Sequence, residues 1–211
     1  MSLTVGYPNA GYQVRAKKLK DSQYLHVKDN SADNNYGHPA LVLMLERSAR
    51  EVERVEKGSR MIVGDLSSRD GGPLAGHVSH QSGRDADVAF YMRDGAGHPV
   101  IREHFQPFDP NGRARYEPGV YFDDYRNWVL LRAWLTDSRA SLAHIFVSQG
   151  LRWRLLEYGK KDPQFAKYVD EAAILLKQPP GRAVHDDHFH VRISCPDDLG
   201  ELCHNESRLG G

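Results

Sequence analysis

The stretch His185-Asp186-Asp187-His188-Phe189-His190-Val191-Arg192-Ile193 constrains this chain more than any other. Side chains alternate faces along a strand. Phe189, Val191 and Ile193 therefore enter a core, while His188, His190 and Arg192 share the opposite face. Such a strand needs a packed apolar layer behind it and a polar face in front. Two imidazoles on that stiff platform suit a metal ion or a proton shuttle. The plain alternative is a half-exposed strand that happens to carry two histidines.

A second cluster lies about a hundred residues upstream, in Gly76-His77-Val78-Ser79-His80-Gln81-Ser82-Gly83-Arg84-Asp85-Ala86-Asp87. It closes a glycine-rich stretch, Asp65 to Gly83, too long for a simple turn; loops of that length tend to carry function. A strand of about Asp85 to Met92 follows, with Val88, Phe90 and Met92 on one face and Asp85, Asp87 and Ala89 on the other. His80, Asp87 and His190 thus offer two imidazoles and one carboxylate. Catalytic zinc takes three such ligands and keeps a fourth position for water. One anionic ligand leaves the site net positive, which acidifies that water and polarises a substrate carbonyl. A base must then move the proton. His188, on the same face as His190, is placed for this, and His185 is the second candidate. Asp85, Asp186 and Asp187 are candidates to fix the tautomers of the ligating rings, with an exposed acidic turn the simpler role for at least one of them.

The rest of the chain supplies the frame. A helix is expected from Pro39 to about Lys57, with Leu41, Met44 or Leu45, Ala49, Val52 and Val55 near helical spacing. Pro39 suits its first turn and Gly58 its end. Asp123 is a plausible N-cap for a helix to about Thr136, with Trp128, Leu131 and Leu135 inward. Further expectations are short strands at Gln23 to Val27, Met61 to Gly64 and Ile145 to Ser148. A short helix over Leu151 to Tyr158 should stop at Gly159, and another should run from Pro163 to Lys177 before Pro179-Pro180-Gly181 breaks it. Residues 94 to 119 read as a polar surface excursion without assigned chemistry. No regular βαβ rhythm is present, so the fold class is α+β: one domain around a central, largely antiparallel sheet.

Composition narrows the partners. At 211 residues the length suits one domain. The formal net charge is zero and no basic stripe occurs, which argues against nucleic acid. No apolar run reaches the ~18 residues of a membrane span. No charged segment followed by an apolar one opens the chain, so it reads as intracellular or as a mature exported form. Cys195 and Cys203 are the only cysteines. Free thiols and a local disulfide are both open, and a disulfide would imply an oxidising compartment. A cupin-type site is disfavoured because Val191-Arg192-Ile193-Ser194-Cys195, without a glutamate, follows the histidine pair. Neither cysteine has an activating context for Cys-His catalysis. No Walker loop or Gly-x-Ser-x-Gly elbow is present.

Ser79-His80 through Asp87, of the form Ser-His-x6-Asp, together with His188-x-His190, resembles the signature of the LAS metallopeptidases. That group includes lysostaphin-type enzymes, D-Ala-D-Ala metallopeptidases and the hedgehog domain. Gly72-Pro73, the Gly76 to Asp87 run, Phe122-Asp123, Arg126-Asn127-Trp128, Ile145-Phe146-Val147 and His185-x-x-His188-x-His190-Val191-Arg192-x-x-Cys195-Pro196 are similar to the penicillin-insensitive murein endopeptidases. The resemblance covers about Asn35 to Cys203. It implies a hedgehog/D-Ala-D-Ala-metallopeptidase-like fold, with an N-terminal extension over 1–37, a metallopeptidase domain over 38–203 and a tail over 204–211. It implies zinc on His80, Asp87 and His190, with His188 and His185 acting near the bound water and His77 at an additional metal position. It implies hydrolysis of D-alanyl to meso-diaminopimelyl cross-bridges in peptidoglycan with no serine nucleophile, a Cys195–Cys203 disulfide, and an exported, periplasmic or cell-envelope protein. A carboxypeptidase of the same group and a zinc-containing binding module are the alternatives.

Overall fold

The computed structural model describes residues 2–179, 181 and 184–208. Its spine is a six-stranded sheet. In spatial order the strands are Leu176–Lys177, Leu142–Phe146, His188–Ile193, Asp85–Ala89, Met61–Val63 and Leu25–Val27. The three inner pairings are antiparallel and the two outermost are parallel. The class is α+β, as the mixed pattern of the sequence implies.

The His188–Ile193 strand sits inside this sheet, and its two faces are used as alternation dictates. Phe189, Val191 and Ile193 are fully buried. Phe189 packs edge-on against Phe90 at 4.6 Å and Trp134 at 5.9 Å between ring centres. Trp134 belongs to α2 (Asp124–Leu135), whose N-cap Asp123 accepts from Arg126 N at 3.0 Å. Its indole Nε1 donates to Ser48 Oγ of α1 (Pro39–Val55) at 3.0 Å, which joins the two helices. Helix α1 turns Leu41, Met44, Leu45, Ser48, Ala49 and Val52 inward, the i, i+3, i+4 stripe expected of an amphipathic helix. Truncating a tryptophan buried as deeply as Trp128 or Trp134 costs about 3–5 kcal/mol.

Several local expectations are corrected. Helix α3 spans Gln149–Lys161 and runs through Gly159 instead of stopping there. A Cβ at Gly159 would lie 2.3 Å from the Trp128 ring, so this glycine serves close packing, not termination. The helix expected over Pro163 to Lys177 is reduced to α4 (Val169–Leu175). A 3-10 turn, Ala166–Tyr168, precedes it, and Leu176–Lys177 leaves it to form the sheet edge. The His-rich strand begins at His188, not His185. The 94 to 119 segment is more than a surface excursion: Phe108 is 1% exposed and packs against Phe90 and Phe122. Residues 1–37, expected as an extension, place Leu25–Val27 in the central sheet and Leu19, Leu25 and Val27 in the core. Their first hairpin, Leu3–Tyr7 with Ala10–Val14, bridges Cys203 through Gly6. Cys195 and Cys203 form a disulfide with Cα atoms 5.7 Å apart. Of the Pro179-Pro180-Gly181 breaker, Pro180 lies outside the described residues, as do 209–211 of the C-terminal tail.

Candidate metal centre

Strand register brings the two histidine clusters together. His190 pairs with Asp87, and Arg192 pairs with Asp85, across neighbouring antiparallel strands. His80 arrives from the loop that precedes Asp85. Its backbone is left-handed, with φ of 68°, which costs a non-glycine residue about 1–3 kcal/mol. The loop holds it there. His80 N donates to Asp85 Oδ2 at 3.3 Å, and Ser67 Oγ donates to His80 O at 2.5 Å. The ring of His80 is wholly buried.

The hydrogen bonds fix which ring nitrogens face inward. His80 Nδ1 lies 2.5 Å from the Leu66 carbonyl, so it carries the proton and leaves the Nε2 lone pair toward Asp87. His190 Nε2 lies 2.8 Å from Asp85 Oδ1 and donates to it, which leaves the Nδ1 lone pair facing inward. Those two inward nitrogens are 3.2 Å apart. They lie 3.3 Å (His80) and 3.1 Å (His190) from Asp87 Oδ1. That oxygen is buried and has no hydrogen-bond donor of good geometry among the described residues. With both rings neutral, two lone pairs and a carboxylate oxygen meet there, an arrangement that takes up an electrophile, either a proton or a metal cation; against burial, Asp87 accordingly pushes the His80 pKa up. This donor set, two imidazoles and one carboxylate, fits a divalent cation of the zinc type.

Asp85 stands behind the set. Burial acts to raise its pKa, but the Arg192 guanidinium, donating from Nε at 2.5 Å, and the His190 hydrogen bond outweigh burial and hold the carboxyl far below the usual range. It stays ionised and keeps the His190 tautomer. His77 flanks the other side. Its Nε2 is 3.0 Å from Asp65 Oδ2, its Nδ1 is 3.7 Å from Asp87 Oδ2, and its ring leans on His80 at 4.3 Å. His77, His80 and Asp87 have ligand atoms within 4.8 Å of one another, a group that could hold a metal ion.

His188 and His185 border the same space. His188 Nδ1 is 2.6 Å from Asp187 Oδ1, which leaves Nε2 facing Asp87 Oδ1 at 3.5 Å. Burial opposes the charged ring, but Asp87 and Asp187 together push its pKa up to about 10. A cation on Asp87 would cancel much of that attraction. The His185 ring lies 5.0 Å from His188 and 5.7 Å from His190, on a left-handed backbone with φ of 52°. Asp186 accepts from Arg115 Nε at 3.2 Å.

These residues line a cleft of about 940 Å³, floored by His80, Asp87, His190 and Arg192 and walled by Gly76–Ser79, Val184–His188 and Asn205–Ser207. Sequence reasoning missed His144 and Phe146, which also line it. They pair directly with Arg192 and His190. Burial, then Arg192, push the His144 pKa down to about 3, so its ring is neutral. The alternation His144-Ile145-Phe146 carried the signal, but only register could say which strand it flanks. Arg84 ties down the third wall. Its guanidinium donates to the Ile193 and His204 carbonyls and to Asn205 Oδ1, beside the disulfide.

The family model described as penicillin-insensitive murein endopeptidase matches residues 4–210. Curated proteins named penicillin-insensitive murein endopeptidase are similar along most of the chain. The one from Haemophilus influenzae is 29% identical over 93% of this chain and 63% of its own length. The one from Pectobacterium atrosepticum is 29% identical over 82% of this chain and 57% of its own. One from Escherichia coli O1:K1 / APEC is 24% identical over 84% and 60%. The chain thus spans about 57–63% of the length of these relatives.

Proposed function

We propose, from the premise that this chain belongs to the penicillin-insensitive murein endopeptidase family, that it is a zinc metallopeptidase that opens peptide cross-bridges of peptidoglycan. The bond is the one from D-alanine to meso-diaminopimelate. The observation that carries the reading is the orphaned Asp87 Oδ1 faced by the His80 Nε2 and His190 Nδ1 lone pairs. His80, Asp87 and His190 would hold the ion, with His77 as an additional ligand. A zinc ion bound there supplies an acidified water and a polarised carbonyl.

The remaining work falls to the side chains around it. His188 Nε2, held toward the centre by Asp187 on Nδ1, accepts the proton of the attacking water. As the water oxygen joins the scissile carbonyl carbon and the carbon–nitrogen bond breaks, the same nitrogen returns a proton to the leaving amine. His185, whose ring lies 5.0 Å from that of His188, would assist in stabilising charge on the scissile carbonyl or in the proton transfer. No serine would participate, so reagents that acylate a catalytic serine should not inhibit it. A cleft of about 940 Å³ with three walls favours a chain with residues on both sides of the bond over a free terminal alanine. Among the described residues, no helix is long and apolar enough to cross a membrane. The disulfide and the substrate together favour the periplasm or cell envelope.

Digestion of purified cross-linked muropeptide dimers, read by mass spectrometry, tests this. The expected result is two monomers, lost with chelator and restored by zinc. Release of a terminal alanine alone indicates a carboxypeptidase, and an inert, zinc-loaded protein indicates a binding module.

A further inference from the structure

Sequence alone assigns the 94 to 119 segment no chemistry, yet it touches the His185–His188 segment at three separate points. The Phe105 ring stacks on the His188 imidazole, with centres 4.8 Å apart and planes 25° from parallel. Phe108 N donates to the Asp186 carbonyl at 2.8 Å, and Arg115 Nε donates to the Asp186 carboxylate at 3.2 Å. The segment is itself anchored in the core by Phe108.

Phe105 is also held from behind. Lys28 Nζ lies 4.0 Å from its ring centre, and Lys28 N donates to Val63 O at 2.8 Å, which fixes that lysine to the central sheet. Gly64 leaves the room the ring needs: a Cβ there would come within 2.6 Å of Phe105 Cζ. Gly64 N in turn donates to the Asp87 carbonyl at 2.8 Å. Lys28, Phe105 and His188 thus form a stack across one end of the sheet, reaching from its edge strand to the cleft.

We propose that the 94 to 119 segment is a clamp on the proton-transferring histidine, and that Phe105 is a positioning residue acting through His188. The proposal rests on the assignment of His188 as the group that moves the proton. His188 is held by three kinds of contact: Asp187 fixes its tautomer, Phe105 fixes the plane of its ring, and Phe108 with Arg115 fixes the backbone that enters it. The flat face of Phe105 adds to the Asp187 hydrogen bond in resisting rotation about the Cβ–Cγ bond of His188, and opposes tilting of the ring out of its plane. A ring that tilts loses alignment with the scissile bond while the substrate still binds, so kcat falls and KM does not.

The test is a double-mutant cycle on the zinc-loaded protein, with ring-proton NMR of His188 in the metal-free protein as a second readout. Phe105→Ala is expected to keep full zinc content and KM within about twofold while lowering kcat about 10- to 100-fold. In a His188→Ala background the same change should cost nothing further. The His188 ring protons should move downfield in Phe105→Ala as the ring current is lost. Arg115→Ala, an exposed change that leaves the core intact, should lower kcat in the same sense by a smaller factor. Wild-type kcat in Phe105→Ala, or an equal loss in both backgrounds, overturns the clamp. Should His188→Ala itself keep normal turnover, the assignment of His188 fails, and unshifted His188 ring signals in Phe105→Ala would still overturn the clamp independently.

Discussion

The two halves of the cleft are held in opposite ways. His80, Asp85, Asp87 and His190 are buried at 5% exposure or less, on or beside the two inner strands, and each is fixed by backbone register or a buried partner. His185 and His188 are half-buried and sit where the chain enters its strand, supported by side chains from a distant segment. The buried half, proposed to hold the ion, inherits its precision from the sheet. The half with His185 and His188 takes support from a separate segment. Under the proposed roles, fixed donors suit a cation, and the proton-moving ring takes its alignment from that separate support.

That contrast should separate on mutation. His190→Ala or Asp87→Ala removes a ligand, and both zinc content and turnover are expected to vanish together, by metal analysis and dimer digestion. His188→Ala should retain zinc and lose about 10²- to 10⁴-fold in kcat. Full zinc with unchanged turnover would remove His188 from the chemistry. Asp85→Asn keeps the shape but weakens the acceptor behind His190, so zinc affinity should fall about 10- to 100-fold in a chelator competition. An unaltered affinity would make Asp85 a partner of Arg192 alone. The smallest effect on chemistry belongs to the disulfide. Replacing Cys195 and Cys203 by serine opens a loop with a sequence separation of 8 and should cost about 2–3 kcal/mol in denaturant unfolding. Zinc binding should persist, while KM rises because the Asn205–Ser207 wall, still tied by Arg84, loses the support of the disulfide beside it.

Local periodicity made much of this legible. The apolar–polar alternation of 188–193 announces both a core face and a functional face, and α1 begins at Pro39 and α2 directly after its N-cap Asp123, where those residues place them. His80, Asp87 and His190 could be grouped because the chemistry of a cation narrows the choice of donors. What escaped was set by contacts between distant segments. Gly159 looks like a helix stop until Trp128 is seen lying against it. His144 carries no motif and Phe146 lies in one that assigns it no role; their place beside the cleft comes from pairing with Arg192 and His190. Phe105 sits in a stretch without periodicity, and only the fold brings it to His188.

The most direct measurement is an anomalous diffraction map at the zinc edge from crystals of the zinc-loaded protein. A peak enclosed by His80 Nε2, His190 Nδ1 and the Asp87 carboxylate is the expected result, with His188 Nε2 outside bonding distance. Absence of a peak there, or a peak bound through His188 in place of His190, would contradict the division of the cleft into a ligand half and a proton-moving half.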